Sequence, residues 1–225
     1  RLQEAQAVEE GDLWVPQTPD PGQPESSRAM TPNASLAVLP VLVPMVEPPG
    51  ARDAAAASTG AAMDPGQAEA AALGQVVHKA LEWLTTVPMP QRSASRLAQA
   101  ISAACRAVDA PPTLGERALS VVTHILSSPD LSPWLDPDQL AWAGNEVSLI
   151  HAGRTLRLDR LVAKSTAAGR EWWVLDYKLQ HRPQDMPSYQ TQMRQYVAAV
   201  SALQPGEVVK AAFMTGDGRL IEIAL

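Results

Sequence analysis

Residues able to do chemistry are concentrated in two short runs of the second half of the chain. The first is Trp172-Trp173-Val174-Leu175-Asp176-Tyr177-Lys178. Side chains alternate along a strand, so Trp172, Val174, Asp176 and Lys178 share one face. A carboxylate and an ammonium at the end of an apolar strand carry a desolvation cost. The bland account is a salt bridge at a strand terminus, and Asp-x-Lys alone is too common to decide. The second run, Leu156-Arg157-Leu158-Asp159-Arg160-Leu161-Val162, places another acid inside an apolar strand, a hairpin away from Asp176. Two carboxylates on neighbouring strands repel unless a cation sits between them. Asp oxygens are hard ligands suited to Mg²⁺. A bound Mg²⁺ lowers the pKa of a water and stabilises charge on a phosphate oxygen. Lys178 would orient or help deprotonate that water, or stabilise growing negative charge.

A third element lies far upstream. Gly74, His78 and Glu82 follow at i, i+4 and i+8, one stripe beside the apolar face of a helix. Gly74 leaves room for a metal or a phosphate one turn before His78, although a His in such a place is more often a satisfied structural residue.

The elements that must position these residues follow from periodicity. Leu73, Val76, Val77, Ala80, Leu81 and Leu84 predict an amphipathic helix from Ala68, ended by Pro88 and Pro90. A second helix starts near Ser95 as N-cap, with Leu97, Ile101, Cys105 and Val108 inward, and Pro111 and Pro112 stop it. Cys105, on an apolar stripe, reads as a core residue. Thr113 and Glu116 make a capping-box pattern for a third helix, lined by Leu119, Val122, Ile125 and Leu126 and closed by Pro129. The period then switches. Glu146–Ile150, Thr155–Ala163 and Glu171–Leu179 read as strands joined by hairpins at Ala152-Gly153 and Ala167-Ala168-Gly169. Tyr189–Leu203 reads as a helix. Val208–Met214 and Leu220–Ile223 read as two strands around the turn Gly216-Asp217-Gly218. The order ααα-βββ-α-ββ predicts an α+β domain over 67–225, its mixed sheet flanked by helices.

Composition bounds the rest. The 225 residues hold one Cys, which excludes a disulfide framework, a Cys-rich zinc module and a four-Cys iron–sulfur cluster. No apolar run reaches the ~20 residues of a membrane span. The net charge of −6 is unevenly spread: residues 1–70 hold three Lys/Arg and ten Asp/Glu, whereas 151–182 holds seven against three. Local rather than global charge sets the field a partner meets, so a polyanion is not excluded. Ten of the twenty prolines fall in 1–70, and 1–66 reads as an extended Pro-rich leader with a short helix at 2–10 and an apolar docking segment at Leu39–Val46. An opening at Arg1, without Met or a signal peptide, reads as a piece of a longer soluble, cytoplasmic protein.

Gly74-Gln75-Val76-Val77-His78-Lys79-Ala80-Leu81-Glu82, Arg157-Leu158-Asp159-Arg160, Leu175-Asp176-Tyr177-Lys178 and Tyr189-x-x-Gln192-x-x-x-Tyr196 together resemble the RecB-type nuclease, a branch of the PD-(D/E)XK superfamily. The resemblance covers roughly 68–225 and implies a restriction-endonuclease-like α/β/α sandwich. It further implies that His78, Asp159 and Asp176 hold Mg²⁺ (or Mn²⁺), with the Tyr177 carbonyl as a further ligand. Lys178 would be the catalytic lysine. Gln192, Tyr196 and Arg160 would bind DNA or support the site, with core packing an equal alternative for Tyr196. Glu146 stands evenly between an acidic counterpart of the family site and a plain surface acid, and Glu82 is expected to support the helix rather than bind metal. The leader resembles what precedes this domain in AddA-type helicase–nuclease subunits. That implies single-stranded DNA as substrate, a helicase motor earlier in the parent chain, a second subunit as partner, and a bacterial, nucleoid-associated setting. No G-x-x-x-x-G-K-[ST] occurs, so no ATPase motor lies within these residues. The competing reading is a catalytically silent scaffold that binds DNA or a partner subunit.

Overall fold

The computed structural model describes residues 64–167 and 169–224. They belong to the second of two units into which the chain divides, Thr59–Leu225. The leader's short helix at 2–10 and its segment Leu39–Val46 lie outside the described residues.

Three helices come first: α1 (Pro65–Leu84), α2 (Ala94–Ala107) and α3 (Gly115–Ser127). The α1 helix starts two residues before the boundary read from composition, with Pro at its first position, where a missing N–H costs nothing. The N-cap of α2 is Ser93 rather than Ser95: Ser93 Oγ accepts from the Arg96 amide at 3.3 Å, the N3 bond that defines a cap. The capping box expected at Thr113 does not form. Pro112 opens a 3-10 turn that takes in Thr113, and α3 begins at Gly115 without a side-chain cap. A one-turn helix, α4 (Ser132–Leu135), follows, and Leu131 and Leu135 anchor it in the core.

The sheet is built from β1 (Trp142–His151), β2 (Arg154–Thr166), β3 (Gly169–Lys178), β4 (Val208–Thr215) and β5 (Leu220–Glu222), in that spatial order. The pairs β1/β2, β2/β3 and β4/β5 are antiparallel and β3/β4 is parallel. The parallel pair needs a crossover, and α5 (Pro187–Leu203) makes it. At the first hairpin Ala152 and Gly153 both have positive φ, 49° and 73°, the primed turn whose twist matches the strands.

Two cores lie on opposite sides of the sheet. The helices α1–α3 pack with Val162, Trp173, Leu175, Ala212 and Met214. Met193, Tyr196 and Val200 of α5 pack with Leu158, Leu161, Trp172, Val174 and Phe213. Helices on both faces of a five-stranded mixed sheet give the α+β, α/β/α architecture expected from the sequence. Cys105 is buried in the α1–α3 core.

Candidate active site

The acids meet because two strands lose their alternation at the same place. In β1, Ala143 packs in the α1 layer and the Asn145 side chain bonds to α1, yet Val147 and Leu149 pack in the α5 layer. In β2, Leu156 and Leu158 face α5, whereas Arg160 and Val162 face α1. The slips fall on Glu146 and Asp159. The β1/β2 ladder pairs Asn145 with Arg160 and Val147 with Leu158, which sets Glu146 against Asp159. Glu146 is in the left-handed region, φ 51°, an uncommon conformation for a residue with a Cβ. On the far side of Asp159 the β2/β3 ladder stops at Arg160 and Leu175, so Asp176 comes next in the same cross-strand row. The Tyr177 amide thereby freed donates to Asp159 Oδ2 at 3.1 Å.

His78 reaches this row from α1. Its Nε2 lies 2.8 Å from Glu146 Oε1 and 3.7 Å from Asp159 Oδ1, and its ring tilts against Tyr177 at 5.6 Å. Burial alone would lower the His78 pKa, but Glu146, then Asp159 and Asp176, outweigh it and hold it above its ordinary value. Glu146 Oε2 is also paired with Arg157 at 2.7 Å. Burial pushes the Glu146 carboxyl up, and His78 and Arg157 more than reverse this.

Asp176 and Lys178 point into the α5 layer. Asp176 is 1% exposed, and Lys178 Nζ lies 2.5 Å from its Oδ2. Lys178 is the ionic partner of that oxygen, and Asp176 Oδ1 has no hydrogen-bond partner among the described residues. Burial first, then Asp159, push the Asp176 pKa up to about 7 against the pull of Lys178. Lys178 is lowered by burial and raised further by Asp176 and Asp159, so its net shift is upward. Its ammonium sits 4.7 Å above the Tyr189 ring of α5. One turn along α5, Gln192 Nε2 donates to the Tyr196 hydroxyl at 2.8 Å. Burial, offset by Gln192, raises the Tyr196 pKa, and Asp176 and Asp159 add to the rise.

Ligand atoms of His78, Glu146 and Asp159 lie within 4.8 Å of one another. Two carboxylates and an imidazole, beside a buried carboxylate oxygen without a partner, make a donor set that fits a divalent cation taking oxygen and nitrogen ligands. A family model described as the PD-(D/E)XK nuclease superfamily matches residues 54–220. The chain belongs to that superfamily. No curated protein matches the chain. Membership makes it a nuclease-type hydrolase, of a class that usually works with divalent metal.

In this PD-(D/E)XK domain the residues singled out from sequence fall into distinct places. His78 and Asp159 come together with Glu146, which the sequence left evenly weighed against a plain surface acid. Asp176 is next in the row but is not one of the three clustered groups. In an extended strand a residue's N–H and C=O point to the same edge; the Tyr177 carbonyl, expected as a ligand, therefore faces the edge where Asp159 takes its amide. Arg160, considered for DNA contact or support, is 0% exposed and bonds only to protein, which leaves it out of reach of a strand on the surface. Glu82 pairs with Lys79 at 2.7 Å and lies outside the cluster. Gly74 faces Leu179: an added Cβ would meet only Leu179 Cδ1, at 3.9 Å. Sequence reasoning passed over Tyr189 as a support for Lys178, although its aromatic ring three residues before Gln192 was a visible signal.

Proposed function

We propose that the domain is a Mg²⁺-dependent DNA nuclease that hydrolyses phosphodiester bonds, an exonuclease acting on single-stranded DNA supplied by a helicase. The observation that carries this reading is the convergence of His78, Glu146 and Asp159 beside the Asp176–Lys178 pair, in a chain of this superfamily. His78, Glu146 and Asp159, with Asp176 adjoining, would hold the cation, with Mn²⁺ as a substitute. Bound there, it would polarise a phosphate oxygen and supply a water of lowered pKa.

The remaining work falls to the chain itself. Lys178, kept as an ammonium by Asp176, donates hydrogen bonds to a non-bridging phosphate oxygen and offsets the charge that grows in the transition state. Tyr189 beneath it restricts where the ammonium points. Asp176 anchors Lys178, and Asp159 fixes the end of β3 through the Tyr177 amide. Tyr196, held by Gln192, lies within electrostatic reach of Asp176 and Lys178 from α5, and the two would orient the strand or its phosphate. The basic excess at 151–182 favours a polyanionic substrate. The Pro-rich leader and the motif resemblance support a RecB-like domain of an AddA-type helicase–nuclease engaged in double-strand break repair and recombination, with a second subunit as partner.

End-labelled single-stranded DNA incubated with the purified chain tests the core of this reading. Cleavage is expected with Mg²⁺ or Mn²⁺ and is abolished by EDTA and by Asp176→Ala. A folded wild type that shows neither metal binding nor cleavage would instead favour the silent scaffold. Cleavage that persists in Asp176→Ala would remove the role of that carboxylate.

A further inference from the structure

Behind the acidic row lies a second row. Asn145, Arg160 and Tyr177 are each the chain neighbour of an acid at the site, Glu146, Asp159 and Asp176 respectively, and all three side chains turn into the α1 layer. Arg160 is at the centre. Its Nε donates to the Trp134 carbonyl at 2.9 Å, and its Nη1 donates to Asn145 Oδ1 at 2.6 Å and to Thr85 Oγ1 at 3.0 Å. Asn145 Nδ2 donates in turn to the Glu82 carbonyl at 2.6 Å and to Thr85 Oγ1 at 2.9 Å. Thr85 closes α1 by donating to the Leu81 carbonyl at 2.8 Å.

One guanidinium thus ties together β1, β2, the end of α1 and α4. It does so at a cost, because no carboxylate pairs with Arg160 among the described residues and its Nη2 has no partner there. Burying an unpaired cation is unfavourable, and packing alone would be served better by Met or Leu. A rigid planar fork with several fixed donors does what neither can.

We propose that Arg160 is a positioning residue for the metal-binding row. Its fork sets the height of Glu146 and Asp159 through the backbone on which each sits beside Asn145 and Arg160. By gripping Thr85 it also sets the rotation and depth of α1, which carries His78 seven residues earlier, two turns back on the same face. The donors must be held to a fraction of an ångström for tight metal binding, and groups behind the ligands supply that precision. This role rests on the nuclease reading given above.

Arg160→Met and Arg160→Lys in the full chain test it. Three quantities are read: the melting temperature without metal, the Mn²⁺ dissociation constant by isothermal titration calorimetry, and kcat and KM on single-stranded DNA. Arg160→Met is expected to stay folded, with Mn²⁺ bound about 10–100-fold more weakly, kcat reduced at least about tenfold, and KM for DNA unchanged. Arg160→Lys keeps the charge but not the fork, and is expected to behave like Met rather than to rescue. A folded Arg160→Met with Mn²⁺ affinity and kcat within twofold of wild type overturns the proposal. If Arg160→Met fails to fold, Thr85→Val and Asn145→Ala, each removing one arm, carry the same comparison, and unchanged Mn²⁺ affinity in both overturns it. A wild type that binds no Mn²⁺ removes the nuclease reading and this role with it. A wild type that binds and cleaves, with variants equal to it, removes this role alone.

Discussion

Replacing Asp176 by asparagine should make the metal-free protein more stable at alkaline pH, although it destroys the proposed activity. The wild-type carboxyl is pushed from an ordinary value of 3.8 to about 7 by burial and by Asp159. Below pH 4 it is protonated in folded and unfolded chains alike, and no stability difference arises. Between about 4 and 7 the unfolded chain ionises while the folded one holds its proton, so stability falls as pH rises; above about 7 the full loss is present. Three pH units at 1.36 kcal/mol each set that loss at about 4 kcal/mol. The amide introduced by Asp176→Asn does not titrate, so the variant gains on wild type by up to this amount between pH 4.5 and 8.5. For a domain of this size that is on the order of 10 °C in melting temperature. The groups facing Asp176 are Asp159 from β2, Lys178 from β3, His78 from α1 and Tyr196 from α5. His78, raised above 6.5, also loses its contribution as pH rises through its folded pKa in both proteins; because Asp176 is one of the groups that raise His78 and Lys178, the difference between the proteins reports Asp176 together with its coupling to these two. Urea unfolding of both proteins in EDTA across that pH range is the assay. Parallel stability curves would refute the reasoning, because the strain assigned to the buried carboxylate would then be absent. Adding Mn²⁺ at alkaline pH should recover stability in wild type more than in the variant.

Two further outcomes are expected. Lys178→Ala should lower kcat by about 10²–10⁴-fold, the range typical of a lost catalytic group, while KM for DNA changes little; single-turnover cleavage with a parallel binding assay separates the two. Glu146→Gln keeps the shape but removes a charge from the proposed metal-binding cluster and the ionic partner of His78, and should weaken Mn²⁺ binding by about tenfold or more in a calorimetric titration.

Much of the framework was legible in the sequence because period and punctuation agree there. Prolines end α1 and α2, and the switch from helical to alternating spacing marks where the sheet begins. Asp159, Asp176 and Lys178 stood out because charge inside an apolar strand is expensive. Glu146 did not stand out, since its place in the site comes from a left-handed backbone and from pairing with β2, which no local pattern encodes. The resemblance gives Arg160 as a DNA contact or a support of the site, and its full burial runs against the usual surface place of a charge. The partners that bury it, Trp134, Thr85 and Asn145, come from three separate segments and appear only on folding. The N-cap at Ser93 and the uncapped start of α3 at Gly115 differ from the expected ones for a smaller reason: neighbouring prolines and 3-10 turns move a helix start by a residue or two.

The slips at Glu146 and Asp159 are opposed, one in each strand, and so they cancel. In genetic terms they are a compensated frameshift written in three dimensions. Deleting either residue alone would leave the other as an unmatched extra residue, a β-bulge that kinks the hairpin and leaves backbone groups unpaired. Deleting both would restore an even ladder and a sound core while erasing two of the three clustered side chains proposed to hold the metal. A lineage that lost this site through deletion would therefore be expected to lose the two residues together, and would leave as its trace a β1–β2 hairpin shortened by one residue on each arm.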